Sequence, residues 1–150
     1  MLENIRSAEN VGAIFRTADA SGVAKIFLVG ITPTPIDRFG RARRDIAKSA
    51  LGAQMSVEWE ARKSAPVLLR ELKKKGFYIV ALEQAEAAID YKKLKVKGEI
   101  ALIVGNEVEG VSATSQKLAD TIIKIPMKGK KESLNVSVAT GIALYRLFGF

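Results

Sequence analysis

The chain reads as an α/β domain whose mostly parallel sheet is covered by helices on both faces. Three observations carry that reading. Short apolar, β-branched runs alternate with segments of helical period along the whole chain. The runs are apolar at successive positions rather than at every second one, as in strands packed on both sides. At 150 residues and 48% hydrophobic content, the chain buries roughly two thirds of its unfolded surface as one ordinary domain. No internal repeat, low-complexity tract or long linker divides it, so residues 1–150 are read together.

Taken in order, Leu2 and Glu3 form the stub of a first strand. Asn10 is placed to cap a helix whose stripe is Val11, Ile14, Phe15 and Ala18, with Gly22 as its stop. Lys25–Val29 reads as a buried strand, and Thr32-Pro33-Thr34-Pro35 as a loop. Arg43–Leu51 is a short helix ended by Gly52, and Met55–Trp59 is expected to be a strand. Ser64 caps a helix through Leu68, Leu69 and Leu72 that ends at Lys75-Gly76. Phe77–Leu82 is a strand, Ile89–Leu94 a basic turn or short helix, and Ile100–Val104 another strand. A helix at Ala113–Ala119 leads to the strand Thr121–Ile125, stopped by Pro126. After a lysine loop, Glu132, Ser133, Leu134 and Asn135 open a last helix running to about Phe148.

Composition excludes several chemistries. Cys and His are both absent, which removes disulfides, thiolate or imidazole metal sites and a cysteine nucleophile. Proton transfer is left to Arg, Lys, Tyr or carboxylates. No apolar run approaches the roughly 20 residues of a membrane span and no secretory leader is visible, so a soluble, cytoplasmic protein without membrane contact is expected. The net charge is +8, and the surplus is clustered. Arg38, Arg41, Arg43, Arg44 and Lys48 face only Asp45, while Lys124, Lys128, Lys130 and Lys131 face no acid. Such clusters read either as a solubilising surface or as the footprint of a phosphate-rich partner, nucleic acid.

Ligands of parallel sheets bind at the carboxyl ends of strands. Two segments lie there, Gly105-Asn106-Glu107-Val108-Glu109-Gly110 and Pro126–Asn135. The first resembles a phosphate loop, but Val111 stands where the lysine belongs, and Glu107 and Glu109 would repel phosphates. No two glycines are separated by a single residue, so the dinucleotide fingerprint is missing as well. Taken singly, Arg16 reads as an exposed partner of Asp19, and Ser133 and Asn135 as caps of the last helix. After Glu132 the only charged residue is Arg146, so part of that helix is expected to pack against a second subunit.

Together the segments carry a resemblance. Asn4-Ile5-Arg6-Ser7-Ala8-Glu9-Asn10-Val11-Gly12-Ala13-Ile14-Phe15-Arg16-Thr17-Ala18 is similar to the first motif of the SpoU (TrmH-like) branch of the SPOUT superfamily, RNA 2′-O-ribose methyltransferases. Ile103–Ser112 resembles the second motif, and Ile125–Gly129 with Glu132–Ala139 the third. They stand in the family's order and cover nearly the whole chain. The resemblance implies a deep C-terminal trefoil knot (the alpha-beta knot of SPOUT proteins), with S-adenosylmethionine bent within it and no metal. It implies cofactor contacts from Gly105, Ile125 and Leu134, with Met127 and Leu82 as weaker candidates, and a catalytic set of Asn10, Arg16, Glu107, Ser133 and Asn135. Partners are then RNA (tRNA or rRNA) and a second copy, joined through the first and last helices. Phosphate contacts fall to Arg38, Arg41, Arg43, Arg44, Lys128, Lys130 and Lys131. Arg16 is ranked first as phosphate anchor and alkoxide stabiliser and second as transient base, because arginine stays protonated to about pH 12. A catalytically silent RNA-binding module of the same fold is the alternative. Larger relatives carry extra RNA-binding segments, so the chain is expected to be a minimal or N-terminally trimmed member.

Overall fold

The computed structural model describes residues 1–148. Seven strands, β1 (Leu2–Glu3), β2 (Lys25–Val29), β3 (Glu58–Arg62), β4 (Tyr78–Leu82), β5 (Ile89–Asp90), β6 (Ile100–Ile103) and β7 (Thr121–Lys124), alternate with six helices. These are α1 (Ala8–Ala20), α2 (Arg44–Ala50), α3 (Ala53–Ser56), α4 (Ala65–Lys74), α5 (Ala113–Leu118) and α6 (Val136–Leu147). Every pairing between these strands is parallel. One sheet has the order β1-β2-β3 and the other β5-β7-β4-β6. A parallel bridge between Leu2 and Val104 joins them, so the seven strands run on in one order.

Alternation along the strands builds two cores. Ile26, Leu28, Val80, Leu102 and Ile123 pack with Val11, Ile14 and Phe15 of α1, Ile46 of α2 and Leu144 of α6. Their neighbours Val29, Ile79, Ala81 and Ile103 pack on the opposite face with Leu68, Leu69 and Leu72 of α4. The buried carboxylate of Glu3 ties β1 to α5, accepting hydrogen bonds from the Ser112 N–H, the Ser112 hydroxyl and the Ser115 hydroxyl at 3.1, 2.8 and 2.7 Å.

Four local expectations are corrected in whole or in part. Ser7, not Asn10, caps α1, its hydroxyl accepting from the Asn10 N–H at 3.2 Å, which frees the Asn10 side chain. Of the strand expected at Met55–Trp59, only Glu58 and Trp59 pair, as the start of β3. Leu51 and Gly52 turn through left-handed backbone into the single turn α3, and pairing begins at Glu58. The true strand β3 is a polar edge, its charges held by Lys25, Arg62 and Glu71. Ile89–Leu94 holds the expected short helix, a 3-10 turn at Tyr91–Lys93, preceded by the unexpected strand β5. Finally, α6 begins only at Val136, with Asn135 as its cap, so Glu132–Leu134 remain loop.

Candidate active site

All strands are parallel, so the segments following β1, β2, β4, β6 and β7 leave from the same edge of the sheet. Three of them enclose a cleft of about 360 Å³. The segment after β6 is folded back by Asn106, whose backbone exchanges hydrogen bonds with Gly110 at 3.1 and 2.9 Å. The buried Asn106 side chain accepts from the Val108 and Glu109 N–H groups and donates to the Asn4 carbonyl. A Cβ on Gly105 would collide with the backbone of Gly110 and Val111, so only glycine allows this fold-back. Gly110 has φ +71°, and Glu83 fills the place a side chain would take there, accepting from the Val111 N–H at 2.7 Å.

A polar string crosses the lip of the cleft. The Glu107 carboxylate accepts from the Arg6 N–H, the Ser7 N–H and the Asn10 amide at 2.9, 3.0 and 2.9 Å. The Asn10 side-chain oxygen Oδ1 accepts in turn from the Asn135 Nδ2 at 3.0 Å. The Asn135 Oδ1 caps α6, accepting from the Ser137 hydroxyl and the Ser137 and Val138 N–H groups. Residues 97 and 125 positions apart in sequence are thereby joined by single bonds. Burial pushes the Glu107 carboxyl up, but the bonds from Arg6, Asn10 and Ser7 outweigh it and hold the group below the ordinary glutamate value. Its charge also sits at the entry to α1, where the helix dipole favours an anion.

Leu82, Gly105, Ile125, Met127 and Leu134 all line the cleft, as do Glu107, Ser133 and Asn135. Asn10 reaches it through its two bonds. Arg16 does not belong to it. The guanidinium is exposed on α1 in a second depression, of about 540 Å³, with Lys48, Leu51 and Tyr145. Asp19, its expected partner, accepts instead from the Ser56 hydroxyl at 2.6 Å. The first basic cluster is less bare than its sequence suggests, because Asp37, just before it, folds onto it. Arg41 pairs with Asp37 at 2.9 Å and Arg43 with Asp45 at 2.5 Å, whereas Arg38, Arg44, Lys128, Lys130 and Lys131 form no ion pair among the described residues.

Sequence reasoning missed three residues here, Glu83, Gln84 and Asn106. Gln84 donates to the Ile125 carbonyl at 2.7 Å, so Glu83 and Gln84 brace the loops after β6 and β7 respectively. Their position directly after a strand was the available signal. The wall combines apolar Leu82, Ile125, Leu134 and Ala139 with the carboxylates of Glu83, Glu107, Glu109 and Glu132, and no Lys or Arg among the described residues. Such a lining repels phosphates and suits a flat apolar group carrying positive charge. Among the described residues, no group of three or more Asp or Glu is placed to hold a metal ion, and no helix is long and apolar enough to cross a membrane.

Residues 1–145 match the SpoU rRNA Methylase family. This chain belongs to that family. It is 35% identical over 145 residues to the 23S rRNA (guanosine-2′-O-)-methyltransferase RlmB of Ralstonia nicotianae, covering 97% of this chain and 55% of that one. Among solved structures it is similar to the TrmH/SpoU tRNA modifying enzyme of A. aeolicus, with a TM-score of 0.86 and 32% identity over 99% of this chain and 72% of that one. It is also similar to the AdoMet-bound rRNA methyltransferase of Sinorhizobium meliloti, with a TM-score of 0.87 and 28% identity, over 97% of this chain and 53% of that one. The SpoU-family chain thus spans about half the length of the curated relatives it matches.

Proposed function

We propose that this protein is a cytoplasmic S-adenosylmethionine-dependent methyltransferase that methylates a ribose 2′-hydroxyl in structured RNA, either tRNA or rRNA. The observation that carries the reading is the string Glu107–Asn10–Asn135, which binds the three family motifs together at the lip of a phosphate-repelling cleft. The cleft fits the cofactor. Its apolar wall suits the adenine, and its carboxylates suit the ammonium and sulfonium charges. Bound there, the cofactor supplies a methyl whose thioether leaves neutral, so the reaction calls for neither a metal nor a leaving-group acid.

The chain's own residues position the acceptor. Glu107 fixes the start of α1 and orients the Asn10 amide, which in turn holds Asn135. Ser133 and Asn135 line the cleft, where they orient the ribose. Arg16 anchors the adjoining phosphate and stabilises the developing alkoxide as the hydroxyl proton passes to water, and acceptance of that proton by a transiently neutral Arg16 is its second role. Placement of the hydroxyl supplies much of the rate. Lys128, Lys130 and Lys131, with the first arginine cluster, hold further phosphates.

The reading includes a homodimer through α1 and α6. Thr140, Ala143 and Leu144 of α6 are buried within the chain, but Val138 is 51% and Tyr145 44% exposed. Since Arg16 lies beside Tyr145 and outside its own cleft, it serves the cleft of the second copy. We further propose that the segment from Ile125 to Asn135 is threaded as a trefoil knot. The support is the position of β7 between β4 and β5 and the return of the chain to α1. Residues 1–150 form one methyltransferase domain in this account. Calorimetry in the presence of a chelator tests the cofactor step. S-adenosylmethionine or its demethylated product should give measurable heat with the parent chain and none with Gly105→Ala, and no heat with the parent refutes the reading.

A further inference from the structure

The loop after β2 carries an exposed aromatic ring that no step above uses. Phe39 is 66% exposed, although a lone phenylalanine on a polar loop is better buried. The Arg38 guanidinium lies over its ring at 4.7 Å and that of Arg41 at 5.1 Å from the centroid. The loop is built to present this cluster. The Asp37 carboxylate accepts from the Phe39 and Arg41 N–H groups at 2.8 and 2.9 Å and from Arg41 Nε at 3.0 Å. The Asp37 N–H donates to the Arg41 carbonyl at 2.9 Å, and Gly40 turns through φ +78°.

The base of the loop is fastened to the catalytic edge. The Ile31 N–H donates to the Asn4 side chain at 3.2 Å, and the Ile5 N–H donates to the Thr32 hydroxyl at 3.1 Å. Asn4 and Arg6 in turn bond to Asn106 and Glu107 at the cleft. The base of the loop that carries Phe39 is therefore fastened by hydrogen bonds to the same edge of the sheet as the cleft.

We propose that Phe39, with Arg38 and Arg41, is a stacking platform for one unpaired RNA base beside the target nucleotide. The inference rests on the RNA methyltransferase reading above and adds a contact of a different kind to its phosphate contacts. Arginine–aromatic clusters are matched to nucleic acid because the ring takes the base face and the guanidiniums take the adjoining phosphates. A protein partner fits less well, since two guanidiniums, those of Arg38 and Arg41, lie over the exposed ring.

The test uses an RNA hairpin with 2-aminopurine in its single-stranded loop and a fully paired duplex of equal phosphate count. Phe39→Ala should weaken hairpin binding roughly 10-fold or more while leaving the duplex unchanged, because stacking on a removed ring is lost. Loop 2-aminopurine quenching should vanish in Phe39→Ala and return in Phe39→Trp. The salt slope should stay constant, since no phosphate contact is removed. Equal hairpin affinity and quenching in parent and Phe39→Ala overturn the platform while the RNA reading stands. Loss of self-association in Phe39→Ala, with hairpin binding intact, also overturns it by making the ring a protein contact. A parent chain that binds neither RNA brings down the underlying reading and the platform with it.

Discussion

Asn10→Ala probes the string at its middle. The substitution removes an amide that donates to Glu107 at 2.9 Å and accepts from Asn135 at 3.0 Å. A bond to a charged group contributes about 1.5–3 kcal/mol and a neutral one about 0.5–1.5, and the low ends apply at this half-open lip. Alanine is the better helix former by several tenths of a kcal/mol, which offsets part of the loss. Nothing is orphaned, because Glu107 keeps the Arg6 and Ser7 N–H groups and Asn135 keeps its cap on α6. The net cost is therefore about 1–1.5 kcal/mol, a fall of roughly 3–6 °C in Tm for a chain of this size. Function should suffer more than stability. With Asn135 no longer held from the side, the ribose hydroxyl loses its placement, and methyl transfer should fall on the order of 100-fold. Cofactor affinity should stay within a few-fold. A double-mutant cycle with Asn135→Ala, read by both denaturation and methyl transfer, should show coupling of about 0.5–1.5 kcal/mol. Effects that add to within about 0.3 kcal/mol would refute the string as a unit.

Two further outcomes follow from the same geometry. The depressed Glu107 carboxyl contributes stability above its unfolded value of about 4.3, and that contribution is lost as pH falls through the lower folded value. Thermal melts from pH 7 to 3 should consequently flatten below about pH 4.5 in Glu107→Gln relative to the parent, and parallel curves would contradict the linkage. If Arg16 serves the second copy's cleft, Arg16→Ala and Asn135→Ala should each be nearly inactive alone yet regain part of the activity when unfolded and refolded together. A mixture no better than its components would return Arg16 to its own chain.

Much of this architecture is legible in the residues. The two-sided burial of β2, β4 and β6 follows from their unbroken apolar runs, and the stripe Val11, Ile14, Phe15 and Ala18 from apolar spacing. The errors are local competitions. Met55 and Trp59 suggest a strand, but Leu51 and Gly52 adopt left-handed backbone and wind one more turn, leaving Met55 83% exposed. Asn10 and Ser7 are both good caps, and only the long-range demand of Glu107 for an amide assigns Ser7 to the helix. The polar string itself has no local signature, since each bond closes a loop of most of the chain. Its members Asn10, Glu107 and Asn135 are marked in the sequence by the motif resemblance, not by periodicity, and their bonding is visible only in the fold. The position of Arg16 was likewise hidden, because spacing on α1 does not say which of two depressions its exposed face borders.

The most direct test of the account is nucleoside analysis of RNA incubated with the purified chain and methyl-labelled S-adenosylmethionine. The RNA is tRNA and rRNA from cells lacking the protein. Label is expected in a 2′-O-methylated nucleoside at one site, with the signal reduced at least 100-fold in Arg16→Ala, the scale of a positioned catalytic group. Label on a base, or RNA binding with no transfer by the parent chain, would contradict it.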